Sequence, residues 1–184
     1  ADFVTCGFNQ IVNNLAKLHW RWGQQADVVV RMPTGAGTAA GPFHSQSNEA
    51  WFFHTPGLKI AYPAFPSDAK GLLCRSFDDP NPVIFIEHKA LYRSIEGEVP
   101  EGYFSLPFGK ANILKSGNKA TVITYGLGVH WMLDILKNND YRIIGTPWVV
   151  GFEKNYLNLS TFLKINRFNF QLLTANFNEL ISDS

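Results

Sequence analysis

The sequence predicts an α/β fold, a largely parallel sheet flanked by helices, followed by the start of a second α/β unit. Three observations carry that prediction. Short apolar runs at Asp27–Met32 (DVVVRM), Leu58–Tyr62 and Val83–Glu87 (VIFIE) read as buried strands. Helical patterns precede and separate them, at Thr5–Arg21, Ser45–His54 and from Ser67 onward. Strands that alternate with helices indicate a parallel sheet covered on both faces.

Each element has its own signal. Phe8, Ile11, Val12, Leu15 and Ala16 recur at helical spacing, and Gly23 ends that helix. Pro33–Pro42 holds Gly35, Gly37 and Gly41 and reads as a loop. Ser45–His54 reads as helix up to Pro56-Gly57, and Pro63 stops the second strand. Ser67 is placed to cap the next helix, whose Ala69, Leu72, Leu73, Ser76 and Phe77 share a face. Asp78–Pro82 is a turn with two prolines, and Glu96–Pro107 is an extended polar connector. Beyond it, Ala111–Leu114 and Thr121–Tyr125 read as strands around Ser116-Gly117-Asn118. Val129, Met132, Leu133 and Leu136 mark a helix. Tyr141–Ser184 is rich in aromatics and Asn, with weak periodicity. The expected division is residues 1–106 and 107–184.

Composition sets the outer limits. A chain of 184 residues with 46% hydrophobic and 17% charged residues buries a core in one domain, or one domain and part of another. A net charge of +1 gives no argument for nucleic acid or for an electrostatic membrane partner. Cys6 and Cys74 form no disulfide framework and no zinc spacing, so a reducing compartment is expected. No apolar run approaches a membrane span and no signal peptide is present. The start at Ala1-Asp2-Phe3, without methionine, reads as a fragment or a processed product.

Among the five histidines, His19, His54, His88 and His130 read as packing or surface residues. His44 differs, because it lies in a glycine-rich loop ahead of an expected helix N-terminus, where an acidic substrate and a proton donor can meet. A loop histidine bonded to backbone is the plainer alternative, and spacing does not separate the two. Gly35-Ala36-Gly37 lacks the remaining glycines and the Lys-Ser/Thr of a phosphate loop and reads as a flexible turn. Asp79 and Asn81 flank Pro80 in a turn of the kind that binds a hard cation or, more commonly, water.

Longer motifs add a family resemblance. HSQSNEAWFFHTPGLKI, then SDAKGLL, then DDPNPVIFIEHKALYR, together with ADFVTCGFNQIVNNLAK and VVRMPTGAG upstream, closely resemble the beta subunit of 2-oxo acid dehydrogenases. That subunit belongs to their thiamine-diphosphate-dependent decarboxylating component. The resemblance runs in order over Ala1–Asn138.

It implies a transketolase-like pyrimidine-binding domain followed by a partial or divergent transketolase C-terminal domain. It implies thiamine diphosphate, with magnesium ligands from an alpha partner. A second beta copy, a lipoyl domain and a small 2-oxo acid are the other expected partners. His44 matches the histidine of the HSQ motif, implied to orient the 2-oxo acid or lipoyl group and to assist proton transfer. Phe3 matches an aromatic position packed against the aminopyrimidine ring. A structural potassium site, mostly of backbone carbonyls, maps to Val28, Ser76, Phe77, Asp79 and Asn81.

The resemblance places the family's catalytic glutamate upstream of Ala1. After Asn138 the chain reads YRIIGTPWVVGFEKNYL where the family has an Asp-Leu-Arg-Thr motif. Branched-chain 2-oxo acids are the expected substrates, with pyruvate as runner-up. A non-catalytic scaffold is the alternative from another class. The implied compartment is cytoplasmic for a bacterial source and the mitochondrial matrix for a eukaryotic one.

Overall fold

A computed structural model describes residues 1–117, 121–135, 137, 142–145 and 148–149. The first sheet has strand order β1 (Val29–Thr34), β3 (Val83–His88), β2 (Lys59–Ala61), β7 (Trp148–Val149). β1 and β2 both run parallel to β3, and β7 pairs antiparallel with β2 at the edge. The parallel core is as expected, and its central strand explains why VIFIE carries no polar alternation: β3 is buried along nearly its whole length.

Successive residues of β3 serve opposite faces. Ile84 and Ile86 join Ile60, Tyr62, Met32, Phe52, Leu58, Ile11 and Ala16 in one core. Val83 and Phe85 join Ala61 and Leu72 in the other. The second core lies under α3 (Pro66–Phe77), the crossover helix between the parallel strands β2 and β3. Pro66 occupies its first turn and extended Phe65 the cap position, so Ser67 does not cap it; a proline there supplies a preset φ where an N–H has no helical partner.

The first core is covered by the N-terminal helical segment, which is not a regular helix. It passes through a 3-10 turn at Val4–Gly7, a π-helical turn at Gln10–Asn14, a second 3-10 turn at Leu15–Lys17, and α1 (Leu18–Trp22). Ile11 and Ala16, five residues apart, are both buried, a spacing that the wider π turn brings onto one face. Gly23 closes the segment in the left-handed region at φ 69°, its N–H donating to the His19 carbonyl at 2.8 Å.

The expected helix over Ser45–His54 shrinks to α2 (Ala50–Phe53). Residues 45–48 form no helix because their polar groups bond to other segments: the Asn48 side chain donates to the Ala1 carbonyl at 2.9 Å, and the Gln46 amide to Asp2 Oδ1 at 2.9 Å. After β3 comes α4 (Leu91–Ser94), then the irregular connector. The connector grips α3: Leu106 N–H donates to the Gly71 carbonyl at 3.0 Å, and a Cβ on Gly71 would lie 2.7 Å from both Leu106 and Phe104.

The second sheet has order β4 (Asn112–Lys115), β6 (Arg142–Gly145), β5 (Thr121–Thr124), with α5 (Leu127–Ile135) after β5. The two expected strands are present and both pair with β6. The connection at Ser116-Gly117-Asn118 falls partly outside the described residues, as does most of Tyr141–Ser184. Tyr125 packs on Tyr62 (5.2 Å between rings), and His130 Nε2 donates to the Ala64 carbonyl at 2.7 Å, joining this unit to the end of β2.

A buried ion pair fixes the turn before β3. Lys59 Nζ donates to both carboxylate oxygens of Asp79 at 3.0 and 2.8 Å, Asn81 adds its amide N–H and side chain, and the Asp79 side chain is fully buried. Burial alone would raise this carboxyl, but Lys59 and Asn81 outweigh it and hold it below its ordinary 3.8. The contribution is therefore complete above that ordinary value and is lost as pH falls through the lower native one. Lys59→Met is expected to cost about 3–5 kcal/mol in denaturant unfolding at neutral pH, and this deficit is expected to narrow below about pH 4. A cost below about 1 kcal/mol at neutral pH would contradict the assignment.

Candidate functional site

The carboxyl ends of β1 and β3 lie side by side, with Thr34 opposite His88 in the parallel register. In open α/β sheets this is the edge at which ligands bind. The loop leaving β1 crosses it and returns at Gln46. Its return is fixed by the Gln46 carbonyl, which accepts from Gly35 N–H at 2.7 Å and from buried Thr34 Oγ1 at 2.8 Å.

His44 closes a 3-10 turn, Pro42–His44, and its side chain is exposed. The following residues 45–48 are irregular and α2 begins only at Ala50, so His44 does not sit at a helix N-terminus, and the anion-site argument from sequence is corrected. The structure instead sets the His44 ring edge-on to Phe3, 5.6 Å between centroids at 70°. Phe3 is 63% exposed, an aromatic face standing out of the fold beside an imidazole.

A charged contact lies behind this pair. Asp2 receives Gln46 N–H on Oδ1 and Lys89 Nζ on Oδ2 at 3.2 Å, and Lys89 Nζ also donates to the His44 carbonyl. Burial pushes the Asp2 carboxyl up, but the Gln46 amide and Lys89 together prevail and hold it below the usual value. Sequence spacing could not show this cluster, since Asp2 and Lys89 meet only through the folded sheet.

His88 is also more than a packing residue of unknown place. It is buried, its Nδ1 accepts from Ala90 N–H at 3.3 Å, and burial and then the Lys89 charge push its pKa down, keeping it neutral. Gly35 sits directly on its ring: a Cβ there would lie 2.1 Å from His88 Nε2, and Gly35 has φ +86°. The glycine read as part of a flexible turn is a close-approach residue. The remaining histidines stay apart from this site: His19 and His54 are exposed on other segments, and His130 braces Ala64.

The cation candidates cluster elsewhere. Ser76 and Phe77 end α3, Asp79 and Asn81 lie in the following turn, and the Val28 carbonyl accepts from Val83 N–H at 2.9 Å. Asp79 has both carboxylate oxygens on Lys59, which leaves main-chain carbonyls as the donors for a cation here. Among the described residues, no three His, Cys, Asp or Glu side chains group as a metal site. Both cysteines are free thiols, and no described helix is long and apolar enough to cross a membrane.

Residues 1–94 match the family of the transketolase pyrimidine-binding domain. The chain is 48% identical over 135 residues to the 2-oxoisovalerate dehydrogenase subunit beta of Bacillus subtilis (strain 168), covering 72% of this chain and 41% of that one. It is 46% identical over 146 residues to the mitochondrial 2-oxoisovalerate dehydrogenase subunit beta of Dictyostelium discoideum, covering 78% and 40%. It is 47% identical over 135 residues to the acetoin:2,6-dichlorophenolindophenol oxidoreductase subunit beta of Cupriavidus necator (strain ATCC 17699 / DSM 428 / KCTC 22496 / NCIMB 10442 / H16 / Stanier 337), covering 72% and 40%. The chain thus spans about two fifths of the length of these relatives. A solved structure described as a split gene transketolase, inactive beta4 tetramer, shares the fold at a TM-score of 0.57 and 19% identity, covering 80% of this chain and 47% of that one.

Gly35→Ala is expected to destabilise the protein through strained φ and contact with His88. Gly35→Ala/His88→Ala is expected to lose less than the two single costs combined. Strict additivity in thermal unfolding would contradict the close approach.

Proposed function

Because this chain belongs to the family of the transketolase pyrimidine-binding domain, we propose that it is the pyrimidine-binding part of a 2-oxo acid dehydrogenase beta subunit. The proposed reaction is oxidative decarboxylation of branched-chain 2-oxo acids with transfer of the acyl group to a lipoyl domain. The observation that carries this reading is the Phe3–His44 pair, exposed at the carboxyl ends of β1 and β3.

The exposed Phe3 ring fits a planar heterocycle by stacking, as the aminopyrimidine of thiamine diphosphate requires. When bound, the cofactor supplies the electron sink for loss of carbon dioxide from a 2-oxo acid. Phe3 holds the pyrimidine face. The imidazole of His44 orients the substrate carboxylate or the lipoyl group and moves a proton through a ring nitrogen. Magnesium and the diphosphate are held by an alpha subunit, and a second beta copy completes the assembly. The proposed division is residues 1–106 as the pyrimidine-binding domain and 107–184 as a partial or divergent C-terminal one. The compartment is the cytoplasm for a bacterial source and the mitochondrial matrix for a eukaryotic one.

A second reading, oxidation of acetoin, is favoured by the almost equal identity to an acetoin oxidoreductase subunit. A substrate panel on the complete enzyme, with 2-oxoisovalerate, pyruvate and acetoin, separates these. Turnover is expected to be fastest with 2-oxoisovalerate, and acetoin as the fastest substrate would replace the first reading with the second. His44→Ala is expected to lower acyl transfer about 10²–10⁴-fold with unfolding temperature unchanged. An unchanged rate in a folded variant would contradict the role of His44.

The carbonyls of Val28, Ser76, Phe77, Asp79 and Asn81 are proposed to hold a structural potassium ion. Support comes from the placement of Ser76 and Phe77 at the end of α3, next to the turn that carries Asp79 and Asn81. Potassium is expected to raise the unfolding temperature above that in equal tetramethylammonium chloride. Equal temperatures would contradict the site.

A further inference from the structure

We propose that Lys89 is the positioning residue for His44, its ammonium joining the loop that carries His44 to the segment that carries Phe3. The inference rests on the reading of His44 as a residue of the substrate channel.

The geometry is specific. One ammonium bonds both the Asp2 carboxylate and the His44 main-chain carbonyl, while the other oxygen of Asp2 holds Gln46 N–H. Asp2 precedes Phe3, and Gln46 follows His44 by two residues, so the same contact sets the distance between the two exposed rings. Lys89 is itself fixed. It follows β3, donates its N–H to the Thr34 carbonyl at 2.9 Å, and accepts from Tyr92 N–H at 3.3 Å. The side chains of Lys89 and Asp2 are 17% and 7% exposed, so water screens their attraction weakly. At His44 itself the other bonds are local, since His44 N–H and Ser45 Oγ both donate to the Gly41 carbonyl, at 3.3 and 2.7 Å; the loop meets β1 two residues later, where the Gln46 carbonyl accepts from Gly35 N–H and Thr34 Oγ1. The Gly41 bonds preserve the shape of the turn, and the Gln46 bonds fix the returning chain. Lys89 supplies the link at His44 itself, and a link of this kind acts on rate through orientation.

The test uses the complete enzyme with its partner subunit, carrying Lys89→Met, Lys89→Arg, His44→Ala and the pair His44→Ala/Lys89→Met. Hydrogen exchange over residues 41–48 is expected to accelerate in Lys89→Met while β1 and β3 stay protected, and Lys89→Arg is expected to restore protection. Unchanged exchange in Lys89→Met would overturn the link whether or not the enzyme is active. With 2-oxoisovalerate, kcat is expected to fall about ten- to hundredfold in Lys89→Met, with KM within about twofold. In the His44→Ala background the same change is expected to cost nothing further, because Lys89 acts through His44. A full additional loss in that background would overturn the proposal. If the parent enzyme turns over neither 2-oxo acids nor acetoin, the functional reading fails, and the exchange result still decides the link.

Discussion

The site depends on the parallel pairing of β1 with β3. That pairing places Thr34 opposite His88, and from those two ends every contact around His44 is hung. Thr34 holds the returning loop through Gln46, and its carbonyl holds the Lys89 amide. β3 can play this part because it is buried on both faces, by Ile84 and Ile86 on one side and Val83 and Phe85 on the other. A one-residue slip would exchange the two faces and also move Lys89 to the wrong side of the sheet. Core packing and site geometry are therefore the same constraint.

Two carboxylates, Asp79 buried and Asp2 half-buried, show how charge is used around this frame. Asp79 anchors the turn entering β3, and Asp2 anchors the loop at its exit; each is paired with a lysine and an amide N–H. An isolated buried charge costs several kcal/mol, so Asp79, fully buried, requires Lys59 for the fold to be stable. Their functional consequences differ. Lys59 and Asp79 lie at the end of the strands remote from His44 and stabilise the fold, whereas Lys89 and Asp2 stand directly behind the His44–Phe3 pair.

The strands were legible because a buried parallel strand leaves a plain mark, a β-branched run bounded by turn residues, as at DVVVRM and VIFIE. The resemblance of the long HSQ-containing segment and of the segment opening at Ala1 singles out His44, which spacing leaves undecided, and Phe3, on which spacing is silent. Local periodicity reads residues 45–48 as helix because it does not see the partners of Gln46, whose backbone groups bond to residues 2, 34 and 35. The π turn at Gln10–Asn14 escaped for a related reason: the apolar pattern tolerates either helical pitch over one turn. Lys89 and His88 were hidden because their importance lies in partners far away in the chain, Asp2 and Gly35.

The central claim is that the carboxyl ends of β1 and β3, with Phe3 and His44 above them, form the cofactor and substrate site. The direct measurement is a structure of the complete enzyme with thiamine diphosphate and a 2-oxo acid bound. The account predicts the pyrimidine ring in contact with Phe3 and the substrate within reach of the His44 imidazole. A cofactor bound at another edge of the sheet, with Phe3 and His44 both open to solvent, would contradict it.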